Sequence, residues 1–180
     1  MNTSVGTTKQ FAQGFTIVEL AVVILVIGIL ATLVTFGYNG MQEQARDSTR
    51  ISDMKTIGKA LEIYKSRNGA YPPVSPSSSG WSNSHQHPTN YINGLHGNGQ
   101  TIKNLPIDPE NNSTYYYRYY VYNAGDNGCD SNLGRYYVLM AMRMESVASG
   151  TAHPDSPGFA CASRNWQDEG AWAQGGFING

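Results

Sequence analysis

The stretch that decides the fold is FTIVELAVVILVIGILATLVTFGY at residues 15–38, a run of 24 residues with a single charge, Glu19. A helix of about 20 mainly apolar residues matches the hydrocarbon thickness of a bilayer. The run therefore predicts a transmembrane helix. Because an ionised carboxylate is costly in hydrocarbon, Glu19 is expected to have a partner. No convincing small-x-small site follows the run, so cleavage after it as an ordinary signal peptide is not expected.

The helical pattern continues beyond this run. Apolar residues recur at spacings of three and four, as expected for one face of a helix; they are Ile51, Met54, Ile57, Leu61 and Tyr64. Opposite charges three residues apart, such as Asp47 and Arg50, also favour a helix. All eight prolines lie after residue 71, and Asn68 with Gly69 is a typical C-terminal stop. The sequence predicts one helix from residue 15 to about residue 67.

The remainder of the chain predicts a small head. Residues 70–114 are rich in Pro, Ser, Gly and Asn, which is typical of loops. Two strand-like runs follow, YYYRYYVYN at 115–123 and RYYVLMAMRME at 135–145, and the tail after residue 147 has little periodicity. Because the apolar stripe of the helix needs a surface to cover it, the predicted fold class is α+β, a long N-terminal helix packed on a small antiparallel sheet.

Charge and cysteine content narrow the possibilities. The 180 residues carry a formal net charge of −1 without a basic cluster, so the sequence gives no specific nucleic-acid signal. The two cysteines are Cys129 and Cys161. In a chain with an export-like N-terminus this pair predicts a disulfide, and two buried free thiols are the alternative.

One segment suggests a metal. DNGCDSN at 126–132 places Asp126, Asp130 and Asn132 at alternating positions that are reminiscent of a calcium loop. Such a loop needs an acidic residue at its twelfth position, where Tyr137 stands. Calcium is therefore a weak candidate, with a polar hairpin loop as the alternative, and no other cofactor is predicted. No catalytic constellation stands out, so an enzyme is not expected.

The sequence around residue 14 resembles a known motif. QG followed by FTIVELAVVILVIGILA is similar to the prepilin cleavage and methylation motif of type IV pilins and of the pseudopilins of type II secretion systems. The segment DMKTIGKALEIYKSRNGAYP at 53–72 resembles the end of the helix in many pilin-like proteins, and LPIDPENNSTYYYRYY resembles, more loosely, the proline–aspartate–proline stretch of major pseudopilins. The resemblance implies that a prepilin peptidase cuts between Gly14 and Phe15 and then methylates the Phe15 amine.

The resemblance also implies an organisation in four parts. Residues 1–14 are a cytoplasmic leader peptide that the prepilin peptidase removes, and 15–38 are a transmembrane and assembly helix. Residues 39–68 continue as an amphipathic helix into the head, and 69–180 form a globular α+β head with a loop-rich C-terminal region. The implied location is the inner or cytoplasmic membrane, as a single-pass protein, before assembly, and an extracellular filament at the cell surface afterwards.

A filament would supply the partner that Glu19 needs. The Glu19 carboxylate of an assembled subunit can pair with the Phe15 amine of an incoming one, which offsets the desolvation of both charges. Pairing within its own first helical turn, or a protonated Glu19, is the alternative.

The predicted function is a structural subunit, a prepilin, of a type IV pilus or related filament. Its expected partners are copies of itself and other pilins, the prepilin peptidase, and a pilus or secretion assembly platform. One alternative is a pseudopilin of a type II secretion or DNA-uptake system. A more distant alternative is a signal-anchored surface binding protein that does not polymerise.

Overall fold

The structure is a computed structural model that describes residues 14–180, including all of their side chains except those of residues 34–39. Apart from Gly14, the predicted leader peptide lies outside the described residues. The chain divides into two compact units, Met1–Met41 and Gln42–Gly180. The second unit contains the sheet and the buried core.

A single helix, α1, runs from Ile17 to Asn68 and is the long N-terminal helix predicted from the sequence. It ends where the sequence places a stop. Gly69 has a positive φ of 68°, and its amide donates to the carbonyl oxygen of Lys65 at 2.8 Å. This is the left-handed C-terminal cap for which glycine is the favoured residue.

The transmembrane helix predicted at 15–38 has no support in the structure. Among the residues with described side chains, no helix is long and apolar enough to cross a membrane.

The sheet contains both predicted strands and two that the sequence did not indicate. The strands, in chain order, are β1 (Ser82–Asn83), β2 (Tyr117–Tyr122), β3 (Tyr136–Ala141), β4 (Ala160–Cys161), β5 (Arg164–Asn165) and β6 (Trp172–Phe177). The main sheet is antiparallel with the order β1-β2-β3-β6, while β4 and β5 form a separate two-stranded ribbon. The fold is therefore the predicted α+β arrangement, with four strands in its main sheet.

Alternating side chains of the sheet contribute to two apolar clusters, as the pleat of a strand requires. The cluster that contains the helix is formed by Met54, Ile57, Leu61, Tyr117, Tyr119, Tyr137 and Leu139, together with further buried residues. The cluster on the opposite face includes Tyr122, Tyr136, Val138, Met140 and Trp166. Because both of its faces are covered, all six residues of β3 are buried. The predicted apolar stripe of α1 is thus confirmed as the helical side of the core.

The loop-rich region between α1 and β2 is held by a short apolar segment. Tyr91, Ile92 and Leu95 are fully buried, and Ile92 forms an isolated antiparallel bridge with Val74. The Tyr91 hydroxyl donates to the carbonyl oxygen of Pro106 at 2.8 Å. The loop prediction for residues 70–114 is confirmed except for the short β1.

The tail after residue 147, where the sequence shows little periodicity, supplies β6. This strand pairs with β3 from Tyr136 opposite Phe177 to Ala141 opposite Trp172. Gly175 and Gly176 lower its intrinsic preference for a strand, which explains the weak sequence signal. At Gly176 a Cβ atom would lie 2.9 Å from the ring of Tyr137 and from the hydroxyl of Tyr71, so the packing requires a residue without a side chain.

The predicted disulfide between Cys129 and Cys161 is present. It joins the connection between β2 and β3 to β4 across a sequence separation of 32, with the two Cα atoms 4.8 Å apart. On the loop-entropy account, a bridge of this length contributes roughly 3–4 kcal/mol.

We expect Gly176→Ala to lower the free energy of unfolding by about 1–3 kcal/mol, because the added methyl group overpacks the contact with Tyr71 and Tyr137. Gly80→Ala is the matched control, since a Cβ atom there would meet nothing within 4 Å. Urea unfolding of the full chain in detergent micelles measures both. Equal stabilities of the two variants would contradict this account of β6.

Candidate assembly site

The first turn of α1 is closed by a reciprocal pair of side-chain hydrogen bonds. The Glu19 amide donates to the Thr16 hydroxyl at 3.2 Å, and the Thr16 amide donates to Glu19 Oε2 at 2.9 Å. The Thr16 hydroxyl donates to the same oxygen at 2.8 Å. This is a capping box, in which two otherwise unpaired amides at the start of a helix gain acceptors. Its Thr-x-x-Glu spacing at residues 16–19 is a sequence signal for such a cap.

Glu19 therefore has a partner within its own first helical turn, which is Thr16. The capping box uses only Oε2, and Oε1 has no hydrogen bond to any described residue. The side chain is exposed. One carboxylate oxygen thus remains available to a group from outside the chain.

Gly14 and Phe15 lie immediately before the capping box. Phe15 is 86% exposed, and a Cβ atom at Gly14 would meet no described atom within 4 Å. Both residues of the predicted cleavage site are therefore accessible. Whether a peptidase uses this bond, and whether the Phe15 amine is methylated, stay predictions.

The following turns expose an unusual amount of apolar surface. Thirteen large apolar side chains between residues 15 and 33 are each at least 48% exposed: Phe15, Ile17, Val18, Leu20, Val22, Val23, Ile24, Leu25, Val26, Ile27, Ile29, Leu30 and Leu33. They occupy every side of the helix. A helix that is apolar all round is normally covered by other apolar surface. The described residues supply no such cover for these side chains, so the side chains define a surface for external apolar partners.

The second unit contains a buried ionic cluster that the sequence did not reveal. The guanidinium of Arg50 is fully buried and donates to three carboxylates. It bonds Asp47 at 2.7 Å, Asp108 at 2.8 and 3.1 Å, and Glu145 at 2.7 Å. The group also lies over the ring of Tyr115, with its central carbon 4.7 Å from the ring centroid. Only the Asp47–Arg50 contact was predicted, as one of several helical charge pairs.

This cluster fixes two distant segments to α1. Asp108 belongs to the IDPE segment before β2 and also accepts the Glu110 amide at 2.9 Å. Asp47 accepts the amides of Glu145 and Ser146, just after β3, at 3.0 and 2.7 Å. The segment that loosely resembles the proline–aspartate–proline stretch of pseudopilins thus supplies a buried counter-ion.

The hydrogen bonds of this cluster shift Asp47 and Glu145 towards their charged forms. Hydrogen bonds from Arg46 hold the pKa of Glu145 below its ordinary value. Burial alone would raise the pKa of Asp47, but hydrogen bonds from Ser146, Glu145 and Arg50 lower it overall. Asp53, which accepts the Tyr117 hydroxyl at 2.9 Å, has a raised pKa because it is desolvated. Asp47 and Glu145 therefore favour the folded state when ionised.

The weak calcium candidates have local partners. Asp126 accepts the Asn123 amide at 2.9 Å, and Asp130 accepts the amide and the side chain of Asn132 at 2.9 and 3.0 Å. Asp130 thereby caps the short 3₁₀ turn Ser131–Leu133. Over residues 14–180, no group of three or more His, Cys, Asp and Glu side chains is placed to hold a metal ion. Calcium binding stays an untested prediction.

A long N-terminal helix with an exposed apolar first part, followed by a small antiparallel sheet, defines a pilin-like protein. Comparison with known proteins identifies the family within this class. The chain is 34% identical over 122 residues to the type II secretion system core protein G of Escherichia coli K12, an alignment that covers 68% of this chain and 78% of that protein.

Two further relatives carry the same name. The protein of Aeromonas hydrophila is 35% identical over 107 residues, 58% of this chain and 71% of its own length. That of Pseudomonas aeruginosa is 35% identical over 109 residues, 60% of this chain and 75% of its own length. The chain belongs to the family of type II secretion system core protein G, a pseudopilin family. No protein-family profile and no solved structure matches it.

We expect Arg50→Ala to lower the free energy of unfolding by about 3–5 kcal/mol, because it leaves buried carboxylates without their counter-ion. The matched control is Arg67→Ala, near the end of the same helix, where the side chain is exposed and the expected change is within about 0.5 kcal/mol. Urea unfolding followed by tryptophan fluorescence measures both variants. A small effect at Arg50 would show that the cluster does not hold the head together.

Acid should destabilise the same cluster. Because folding lowers the pKa values of Asp47 and Glu145, the stability they contribute is complete above the ordinary values of 3.8 and 4.5 and is lost as the pH falls through the folded values. Asp53 acts in the opposite direction, because its pKa is raised.

The measurement is urea unfolding at pH 6 and pH 3 of the unaltered chain and of Glu145→Gln. The variant should be less stable at pH 6 and should lose less on acidification, since one titrating group is absent. The contribution of Asp53 is common to both proteins. An unchanged pH dependence in Glu145→Gln would contradict the assignment.

Proposed function

We propose that this protein is a structural subunit of the filament of a type II secretion system and that it polymerises through the first part of α1. The observation that carries the proposal is the exposed apolar surface of residues 15–33 in a member of this family. The relatives favour a secretion pseudopilin, the alternative from the sequence, over the type IV pilus subunit that was predicted first. They also argue against a surface protein that does not polymerise.

The proposed maturation follows from the motif. A prepilin peptidase cleaves between Gly14 and Phe15 and methylates the new amine of Phe15. Support comes from the QG–FTIVEL sequence and from the accessibility of both residues. Because glycine has no side chain to obstruct a protease, position 14 suits an extended, open cleavage site.

Cleavage gives Glu19 a role beyond its own helix. The capping box occupies Oε2 and leaves Oε1 available, so the carboxylate can support its helix and accept a cation together. We propose that this cation is the Phe15 amine of the adjacent subunit. Apolar side chains surround both groups when neighbouring helices pack, and a charge in such surroundings is tolerated only when it is paired. The pair would favour one register between subunits.

The proposed partners follow from the need to cover the apolar surface at every stage. Lipid of the inner or cytoplasmic membrane would cover it before assembly, and copies of the protein and other pseudopilins would cover it in the filament. The relatives are named as core proteins of a secretion system, which supports an assembly platform as a further partner. The role is structural rather than catalytic. Display of the filament at the cell surface stays a prediction.

We expect Glu19→Gln to be cleaved and methylated normally but to be lost from filaments. Glutamine is accepted at this position of a capping box, so the variant retains the cap and loses only the charge. Thr16→Ala is the matched control, because it removes the hydroxyl of the cap and leaves the Glu19 charge in place. The measurements are the N-terminal mass of each variant and its amount in sheared filaments from cells that lack the unaltered protein.

The outcomes separate maturation, capping and assembly. Normal processing with filaments lost in Glu19→Gln and retained in Thr16→Ala supports the ion pair. Filaments retained in Glu19→Gln and lost in Thr16→Ala would overturn it and assign the effect to the cap. An unaltered chain that keeps its Met1 terminus in the mature fraction would overturn the proposed processing.

A further inference from the structure

A cavity with both polar and apolar walls lies at the end of the sheet where β2 and β6 begin and β3 ends. It has a volume of about 270 Å³. Its walls come from four separate segments, 113–116 before β2, 142–144 after β3, the 148–151 turn, and 169–171 before β6. At roughly 30 Å³ for each water molecule in the liquid, the space can hold several waters or one small solute.

The walls are fixed by the backbone. The Met142 amide donates to the Tyr116 carbonyl oxygen at 3.1 Å, and the Ala171 amide donates to the Met142 carbonyl oxygen at 3.3 Å. The remaining wall, residues 148–151, is a turn in which the Thr151 amide donates to the Ala148 carbonyl oxygen at 3.1 Å. The cavity is therefore part of the folded head and needs no rearrangement to form.

Arg143 lines this cavity and lacks a partner. Its Nε atom is buried and has no hydrogen bond, and its guanidinium has no ion pair with any described residue. Most other arginines of the second unit are paired. Arg50, for example, is paired with three carboxylates, and Arg164 is paired with Glu169. The partly exposed guanidinium of Arg143 is therefore a cationic group in the cavity wall that has no counter-ion among the described residues.

The acid in the wall cannot meet this need. Glu169 accepts from Arg118 at 2.7 Å and from Arg164 at 2.6 and 2.9 Å. Oε1 thus accepts from Arg164 and Oε2 from both Arg118 and Arg164. Hydrogen bonds from Arg164 in particular hold the pKa of Glu169 below its ordinary value. Because Arg118 and Arg164 already balance the charge of Glu169, the acid in the cavity wall is not a counter-ion for Arg143.

The remaining lining is suited to a small amphipathic anion. Hydroxyl groups come from Ser113, Thr114, Tyr116, Ser149 and Thr151, and none of them has a hydrogen bond to another described residue. Met142 and Met144 add apolar wall. A guanidinium offers two parallel N–H donors whose geometry matches a carboxylate. One unpaired cation suits one singly charged group.

From these observations we infer that the cavity is a binding site for a carboxylate group with a short apolar stem, held by Arg143. Its terminal N–H groups donate to the two carboxylate oxygens, and the hydroxyl groups of the rim donate to the same oxygens. The carboxylate belongs either to a free small acid or to an acidic side chain of another protein. The chemistry at Arg143 is the same in both cases.

The test uses the full chain in detergent micelles with ¹⁵N-labelled arginine. The Nε–H resonance of Arg143 is assigned by its loss in Arg143→Gln. Propionate is the probe, propionamide is its neutral analogue, and sodium chloride and inorganic phosphate are the ionic comparisons. A blocked Gly-Asp-Gly peptide presents the same carboxylate on a polypeptide. Arg135→Gln, at the other end of β3, is the matched control because Arg135 is exposed.

We expect propionate to shift the Arg143 resonance saturably, while propionamide and chloride leave it unchanged. Propionate-dependent shifts in the 114–116 and 149–151 backbone amides should weaken at least about tenfold in Arg143→Gln and persist in Arg135→Gln, since hydrogen bonds to charged groups are the strong ones. Tighter binding of the peptide than of propionate would identify a protein side chain as the source, and the reverse would identify a free acid.

Four results would overturn the inference. No saturable shift would mean that water alone fills the cavity. Equal shifts with propionamide or chloride would mean that Arg143 does not recognise a carboxylate, and stronger binding of phosphate would assign a different class of anion. Loss of the response in Arg135→Gln as well as in Arg143→Gln would mean that the cavity is not where the ligand binds.

Discussion

The second unit, Gln42–Gly180, depends on the burial of one guanidinium. Arg50 lies inside the fold with no exposed surface, and its charge is offset by Asp47 on the same helix, by Asp108 before β2 and by Glu145 after β3. A buried ion is tolerated only when its donors are satisfied, so segments about 58 and 95 residues away in sequence have to meet at one point of α1. The arrangement that satisfies Arg50 is also the one that lays the sheet on the apolar stripe of the helix.

The two parts of α1 have opposite relations to apolar surface. From Met54 to Leu61 the stripe is completely buried in the core of its own unit. Between Phe15 and Leu33 the large side chains stay exposed on every side, and no part of the chain that the structure describes covers them. This difference explains why one helix can belong to a stable folded head and still provide the surface through which a pseudopilin would polymerise. The hydrophobic effect acts within the molecule in the first case and between molecules in the second.

Glu19 illustrates how one side chain can serve two levels of structure. Within the chain it completes a capping box with Thr16, which satisfies amides at the start of α1 through a single oxygen. The other oxygen is free for the contact proposed between subunits. Arg143 presents the complementary case, a cation that has no counter-ion among the described residues. For both Glu19 and Arg143 the proposed partner comes from another molecule.

The sequence by itself determined the helix, its C-terminal stop at Gly69, the two central strands and the disulfide. Each rests on local pattern or on a unique pair: a 3.6-residue period, a glycine that tolerates positive φ, aromatic-rich runs, and two cysteines. Only the tertiary structure decided the last strand, the buried cluster around Arg50 and the cavity at Arg143. Gly175 and Gly176 weaken any local strand signal, and the strand forms because β3 supplies hydrogen bonds and neighbouring aromatic rings leave no room for a side chain. Asp108 and Glu145 are 58 and 95 residues from Arg50 in sequence. A local periodicity cannot predict contacts over such distances.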